Sequence, residues 1–230
     1  MIRLIDVWKT YNYGKVTALK GIALDFKEKI FYMIIGPSGS GKSTLLNIIT
    51  GVDTPSKGKV IVDNTEISSL PEGRRRKFRL RNFGIVFQYH YLVPYLTALE
   101  NVMLPLRFLG YKSSEAKKIA LNALEMVNAK HLCYKYPVEM SAGEMQRVAI
   151  ARAIAPKPKY IVADEPTAAL DWNNKIRIWS LFRRLKEELS ITIISVTHEI
   201  NFTKYADVLI ELRDGEIHDI KNVYTENSEK

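Results

Sequence analysis

Three sets of residues have types and spacing suited to chemistry on a phosphoanhydride. The first is Gly36-Pro-Ser38-Gly39-Ser40-Gly41-Lys42-Ser43-Thr44, which follows the pattern G-x-x-x-x-G-K-[ST]. Glycines let backbone N–H groups curl round phosphate oxygens. Lys42 can reach β- and γ-phosphates, and the Ser43 hydroxyl can bind Mg²⁺. The second is Asp164-Glu165, placed directly after the apolar run Tyr160 to Ala163. Beyond the carboxyl end of a strand, Asp164 would hold Mg²⁺ through water and Glu165 would orient and polarise an attacking water. The third is His198, which ends the β-branched run Ile191 to Thr197 and would sit where a γ-phosphate contact is needed. Together they imply binding of a nucleoside triphosphate.

The elements that must position these groups are legible in the pattern. Ile2 to Val7, Ile22 to Phe26 and Val60 to Val62 read as strands. Ile30 to Ile35 is a continuous apolar run, the mark of a strand buried on both faces, and Lys42 to Thr50 reads as a helix stopped at Gly51. Ala116, Ile119, Ala120, Ala123, Leu124 and Val127 fall on one face of a helix over Glu115 to Val127, with Ser113 and Ser114 as N-cap candidates. Tyr160 to Ala163, a helix over Lys175 to Leu189 and Ile191 to Val196 form a strand–helix–strand series, which implies a parallel sheet. An α/β core is thus interrupted by a helical insertion over Tyr89 to Lys159, and a polar tail begins near Lys221.

Composition narrows the class. The chain has 230 residues, 47% hydrophobic and 26% charged, the profile of a folded domain. No apolar run is long enough to span a bilayer, and the amino terminus lacks an apolar signal core, so a cytosolic protein is expected. Cys133 is the one cysteine, which excludes an internal disulfide or a thiolate cluster; it reads as a buried structural thiol. The formal charge of +9 fits an anionic partner: nucleotide, nucleic acid or lipid head groups.

The phosphate loop, Gln88, Met140-Ser141-Ala142-Gly143-Glu144, Asp164-Glu165 and His198 occur in that order. In this the chain resembles the ATP-binding cassette (ABC) ATPases, from Val7 to about Glu216. The resemblance implies a P-loop NTPase (RecA-like) α/β core with an N-terminal antiparallel β subdomain and an inserted α-helical subdomain. The core would be 1–88 and 160–220, the helical part 89–159 and the tail 221–230. It implies that Tyr11 stacks on the adenine, with Tyr13 a nearby competitor. Gln88 would touch Mg²⁺ and the attacking water. Ser141 and Gly143 belong to the signature motif, Ala169-Leu-Asp171 to the D-loop, and His198 is the switch histidine. In such proteins the signature closes on the ATP held by a second copy. The implied protein hydrolyses ATP with Mg²⁺, forms a head-to-tail dimer and drives a separate transmembrane permease subunit from the inner face of the membrane. Leu92, Pro94, Leu96, Thr97 to Val102 and Leu104-Pro-Leu106 are similar to the subgroup serving lipoprotein release and macrolide-type export. A soluble ABC ATPase acting in assembly or nucleic-acid metabolism is the alternative; such proteins usually carry coiled-coil insertions or two cassettes, and this chain has neither.

The chain departs from the family pattern at three places. The signature reads Met-Ser-Ala-Gly-Glu for the usual Leu-Ser-Gly-Gly-Gln. Ala142 would crowd the phosphate if its backbone were left-handed, and Glu144, which the motif tolerates, brings a carboxylate toward an anion; together they would either weaken the ATP sandwich or be harmless drift. Lys29 stands where a turn glycine is common, and Trp172 follows Asp171 where a small or polar residue is usual. Arg74-Arg-Arg-Lys77-Phe-Arg79-Leu-Arg81 reads first as a solvated helix face, then as a lipid head-group contact, and last as a nucleic-acid site. Only Phe78 offers a stacking ring in that run, so no nucleic-acid partner is expected.

Overall fold

The structure, a computed structural model, describes residues 1–223. In chain order the elements are β1 (Ile2–Tyr11), β2 (Val16–Phe26), β3 (Phe31–Ile35), α1 (Lys42–Ile49), β4 (Lys57–Val62), β5 (Thr65–Glu66), α2 (Glu72–Asn82), β6 (Phe83–Val86), α3 (Ala98–Phe108) and α4 (Ser113–Met126). They continue with α5 (Ala142–Ile154), β7 (Tyr160–Asp164), α6 (Trp172–Leu189), β8 (Thr192–Thr197), β9 (Val208–Arg213) and β10 (Glu216–Asn222). The chain divides into two compact units, Met1–Arg79 with the segment from Arg183, and Leu80–Phe182.

The first unit holds two sets of strands. β2-β1-β4-β5 is antiparallel throughout, as the family resemblance implies. β1 and β2 run well beyond the expected ranges because bulges break their alternation; Asp6 takes φ +46° and Gly21 φ +64°. In the second set β3 lies between β8 and β9, parallel to both, while β10 returns antiparallel to β9. β3 is apolar and β8 is rich in β-branched residues with Thr192, Ser195 and Thr197 among them, and both are buried almost throughout, as strands of a parallel sheet are. Lys29, just before β3, has φ +61°, so the position does call for a left-handed residue, and its amide donates to Thr192 Oγ1 at 2.8 Å.

The second unit pairs β6 with β7 in parallel and packs α3, α4 and α5 on one another. α4 buries Ala116, Ala120, Ala123 and Leu124, the expected stripe. Its N-cap is Lys112, with no side-chain cap, so Ser113 and Ser114 fall inside the helix and do not cap it. The motif Thr97-Ala-Leu-Glu-Asn101 has a local purpose. Thr97 and Glu100 form a capping box on α3, and buried Asn101 donates to the carbonyls of Val93, Leu96 and Thr97 while accepting from the Val93 amide. Cys133 is half-buried, less enclosed than expected. The tail expected from Lys221 lies outside the described residues from 224 on; Lys221 and Asn222 close β10. Among the described residues no helix is long and apolar enough to cross a membrane.

Candidate active site

The first unit builds an anion cradle. β3 ends at Ile35, and a Cβ on Gly36 would lie 2.0 Å from the Leu212 carbonyl, so only glycine fits there. Gly41 takes φ +100°, and a Cβ there would meet the Ala18 carbonyl at 2.5 Å. Gly41 is the N-cap of α1 and brings no side-chain cap, and no acidic residue stands in the first turn. Helix-start amides turned toward an anion, at the positive end of the helix dipole, are the physical basis of phosphate binding. The loop around them adds two donors. Lys42 is buried, and its ammonium donates to the carbonyls of Gly36 and Pro37, both at 2.8 Å. Ser40 is buried at 2% exposure, and its hydroxyl has no hydrogen-bond partner among the described residues. A buried hydroxyl left unsatisfied costs about 1–3 kcal/mol, which a phosphate oxygen would recover. Ser38 and Ser43 are exposed along this loop, with Thr44 half-buried behind them.

Tyr11 closes β1 and is 37% exposed, whereas Tyr13 is fully exposed in the turn that follows, with φ +55°. His198 follows β8 as an exposed residue, and Thr197 Oγ1 accepts the Glu199 amide at 3.1 Å just after it.

The second unit carries the carboxylates and the signature. β7 is buried to Ala163 and emerges at Asp164. Glu165 then takes φ +46°, a left-handed backbone that a non-glycine residue adopts at a cost of about 1 kcal/mol, and its carbonyl accepts the Ala168 amide at 3.2 Å. Strain of this kind, held by surrounding structure, marks residues whose direction matters. Gln88 follows β6 half-buried, and the next turn is strained as well, with His90 at φ +60° and Tyr91 at φ +46°. The Arg152 guanidinium donates to both of their carbonyls, at 2.6 and 2.5 Å. Burial, then the Arg152 charge, holds the His90 imidazole below its ordinary range, although a hydrogen bond with the Ala142 backbone works the other way.

Ser141 caps α5. Ala142 is the first residue of that helix and is not left-handed, so the crowding expected of it does not arise. Glu144 does not point its charge outward. Its carboxylate turns back to accept from the Ser141 amide and hydroxyl. Gly143 is buried, and a Cβ there would lie 2.9 Å from Asn174 Oδ1. Asn174 is itself fixed by Asp171, which accepts from its amide at 3.0 Å and from its side chain at 2.5 Å. Nothing in the sequence signals that Arg152 reaches the His90 and Tyr91 carbonyls, 62 and 61 residues away, whereas Asn174 meets Asp171 within one turn, where the pattern after Asp171 carries a signal.

The donor set also bears on a metal. Among the described residues no three His, Cys, Asp or Glu side chains gather as a metal site. The Ser43 hydroxyl in the first unit and the Asp164 carboxylate in the second are both oxygen donors of the kind that a hard cation such as Mg²⁺ takes.

The ABC transporter family matches residues 19–168. An ABC transporter ATP-binding protein of Methanocaldococcus jannaschii is 48% identical over 96% of this chain and 100% of its own length. The lipoprotein-releasing system ATP-binding protein LolD of Bacteroides thetaiotaomicron is 41% identical over 94% and 99%. Among solved structures, the dimeric post-hydrolysis state of the ATP-binding cassette MJ0796 bound to ADP and Pi superposes with a TM-score of 0.89, at 42% identity, covering 97% of this chain and 99% of that one. The chain belongs to the ABC transporter family, as one of its ATP-binding, ATP-hydrolysing cassettes.

Proposed function

We propose that two copies of this chain close on two Mg·ATP and so drive a separate membrane subunit, and that hydrolysis reopens them. The observation that carries the reading is the cradle at α1: bare helix-start amides, left-handed glycines, an unsatisfied Ser40 hydroxyl and a buried Lys42. In this reading Lys42 and the amides of Gly36 to Thr44 hold the phosphates, and Tyr11 stacks on the base. Ser43, Gln88 and Asp164 hold Mg²⁺, which neutralises phosphate charge when bound. Glu165 polarises the attacking water and His198 contacts the γ-phosphate. Ser141 and Gly143 act on the ATP of the other copy. Residues 1–88 with 160–220 serve as the nucleotide-binding core and 89–159 as the helical arm that reaches the membrane partner.

The similarity to LolD supports an export or mechanotransmission type of system, with the chain peripheral on the inner face of the membrane. Tyr89, Tyr91 and Tyr95, each more than 60% exposed after Gln88, supply an uncharged surface for a helix of that partner. Light scattering on Glu165→Gln tests the core of the proposal. A monomer that becomes a dimer with Mg·ATP is expected; a monomer at saturating Mg·ATP overturns the two-site sandwich.

A further inference from the structure

We propose that Lys9 and Asp53 are positioning residues for the nucleotide base, acting by fixing the ring of Tyr11. The inference rests on Tyr11 being the base platform and adds what makes it one. The Asp53 carboxylate uses both oxygens. Oδ1 accepts from Lys9 Nζ at 2.7 Å, and Oδ2 accepts from the Tyr11 hydroxyl at 3.0 Å. The same ammonium donates to the Thr54 carbonyl at 2.8 Å and lies 4.9 Å from the centroid of the Tyr11 ring. One face of the ring is thereby covered by a cation, a favourable contact with the π-system, while Tyr11 as a whole stays 37% exposed. The Lys9 side chain is only 12% exposed, so its charge is partly shielded from solvent where it meets the ring.

These supports belong to the element that forms the phosphate cradle. The Tyr11 hydroxyl is tied through Asp53 to the segment that follows α1. Just past the end of α1, the Asp53 amide donates to the Asn47 carbonyl at 3.1 Å. Asp53 is half-buried. Burial alone would raise its carboxyl, but Lys9, the Thr54 amide and the Tyr11 hydroxyl hold it below its ordinary range, so it stays charged at neutral pH. One helix therefore sets the phosphate site at its start and, through Asp53 just past its end, the tilt of the ring. The separation of base and phosphates is built in before nucleotide arrives, which reduces the ordering cost of binding. The phenolic proton is committed to Asp53, so the platform offers the base a π-face and no hydrogen-bond donor.

The test compares ATP with inorganic tripolyphosphate, which has no base, by calorimetric titration of the full chain with Mg²⁺. Lys9→Met and Asp53→Ala are each expected to weaken ATP binding about tenfold, within the range one stacked base contributes, with tripolyphosphate affinity unchanged. Lys9→Arg should recover most of the loss. Tyr11→Ala should weaken ATP to a similar degree, and Asp53→Ala added to it should cost nothing more. If Tyr11→Ala weakens ATP but the Lys9 and Asp53 variants do not, the support is overturned and the platform stands. If Tyr11→Ala has no effect, the platform itself fails, and the support with it. Equal losses for ATP and tripolyphosphate would assign Lys9 and Asp53 to the phosphate loop and overturn the inference. Should Asp53→Ala not fold, Lys9→Met and Asp53→Asn carry the same comparison.

Discussion

Glu144 is bonded to Ser141 three times over. Its carboxylate accepts from the Ser141 amide at 2.8 Å and from the hydroxyl at 3.0 Å, while its own amide donates to Ser141 Oγ at 3.3 Å. The usual glutamine at this position would bring a neutral amide; here a negative charge rests on the helix end proposed to meet the partner's ATP. Those two hydrogen bonds also hold the Glu144 carboxyl below its ordinary range.

Glu144→Gln should therefore trade stability for closure. Loss of the charged half of the capping box costs about 0.5–1 kcal/mol of folding stability, read by urea denaturation. Removal of the charge should tighten ATP-dependent dimerisation of a Glu165→Gln background about two- to fivefold, read by light scattering at graded protein concentration. Ala142→Gly, at a helical and not a left-handed position, should leave dimerisation unchanged and cost up to about 1 kcal/mol in stability. A gain in dimerisation from Ala142→Gly alone would contradict this division of roles.

Glu165 separates backbone strain from chemistry. With φ at +46°, it is a position where glycine outperforms any other residue in stability. Glu165→Gly should be more stable than Glu165→Ala by about 1 kcal/mol in thermal or chemical unfolding. Both should lose ATP turnover by two or more orders of magnitude, since neither can polarise water. Equal stability of the two variants would mean that the left-handed turn relaxes once the carboxylate is gone.

Asp207 gives a pH-dependence with a defined sign. Burial would raise its carboxyl, but the Phe31 amide at 2.8 Å, Arg183 at 2.5 Å and Lys186 at 3.1 Å outweigh it and leave the group below its ordinary range. A carboxyl depressed in the folded state stabilises fully above its unfolded value, near 3.8, and that stabilisation is lost as pH falls through the folded value. Asp207→Asn should cost about 1–3 kcal/mol at neutral pH, because two cations and an amide lose a charged partner. The gap between wild type and Asp207→Asn in urea titrations should be constant from pH 7 to about 5 and close only below about 4. A gap that closes near pH 6 would point to a histidine in its place.

The divide between what the sequence shows and what it hides follows contact range. β3 and the α4 stripe were legible because continuous apolar runs and i, i+3, i+4 spacing are local records of burial. The phosphate loop was legible because its glycines answer local needs, Gly41 a φ of +100° and Gly36 the close Leu212 carbonyl, and so leave a spaced motif. β1 and β2 were cut short because a bulge erases alternation while pairing continues. The supports of the site, Lys9 with Asp53 and Arg152 with His90 and Tyr91, join segments 44 and 61 to 62 residues apart. A single sequence records the residues of such a pair but not that they meet. Glu144 shows the limit at short range: its charge was plain, and its direction depended on a helix cap.

Gly143 offers a two-step test of packing against chemistry. Its missing Cβ leaves room for Asn174, whose side-chain amide cannot swing aside freely because its Nδ2 donates to Asp171 Oδ2 while its backbone amide donates to Asp171 Oδ1. Gly143→Ala would place a methyl 2.9 Å from Asn174 Oδ1, and the resulting crowding should cost about 1–3 kcal/mol of stability. Gly143→Ala with Asn174→Ala should recover most of that stability, because the clash is with the side chain alone. ATP-dependent dimerisation should recover only in part, since a methyl would then stand where the signature presents an unblocked amide and the D-loop would have lost the partner of Asp171. Full recovery of dimerisation in the double variant would assign Gly143 a packing role only and remove it from the proposed contact with the partner's ATP.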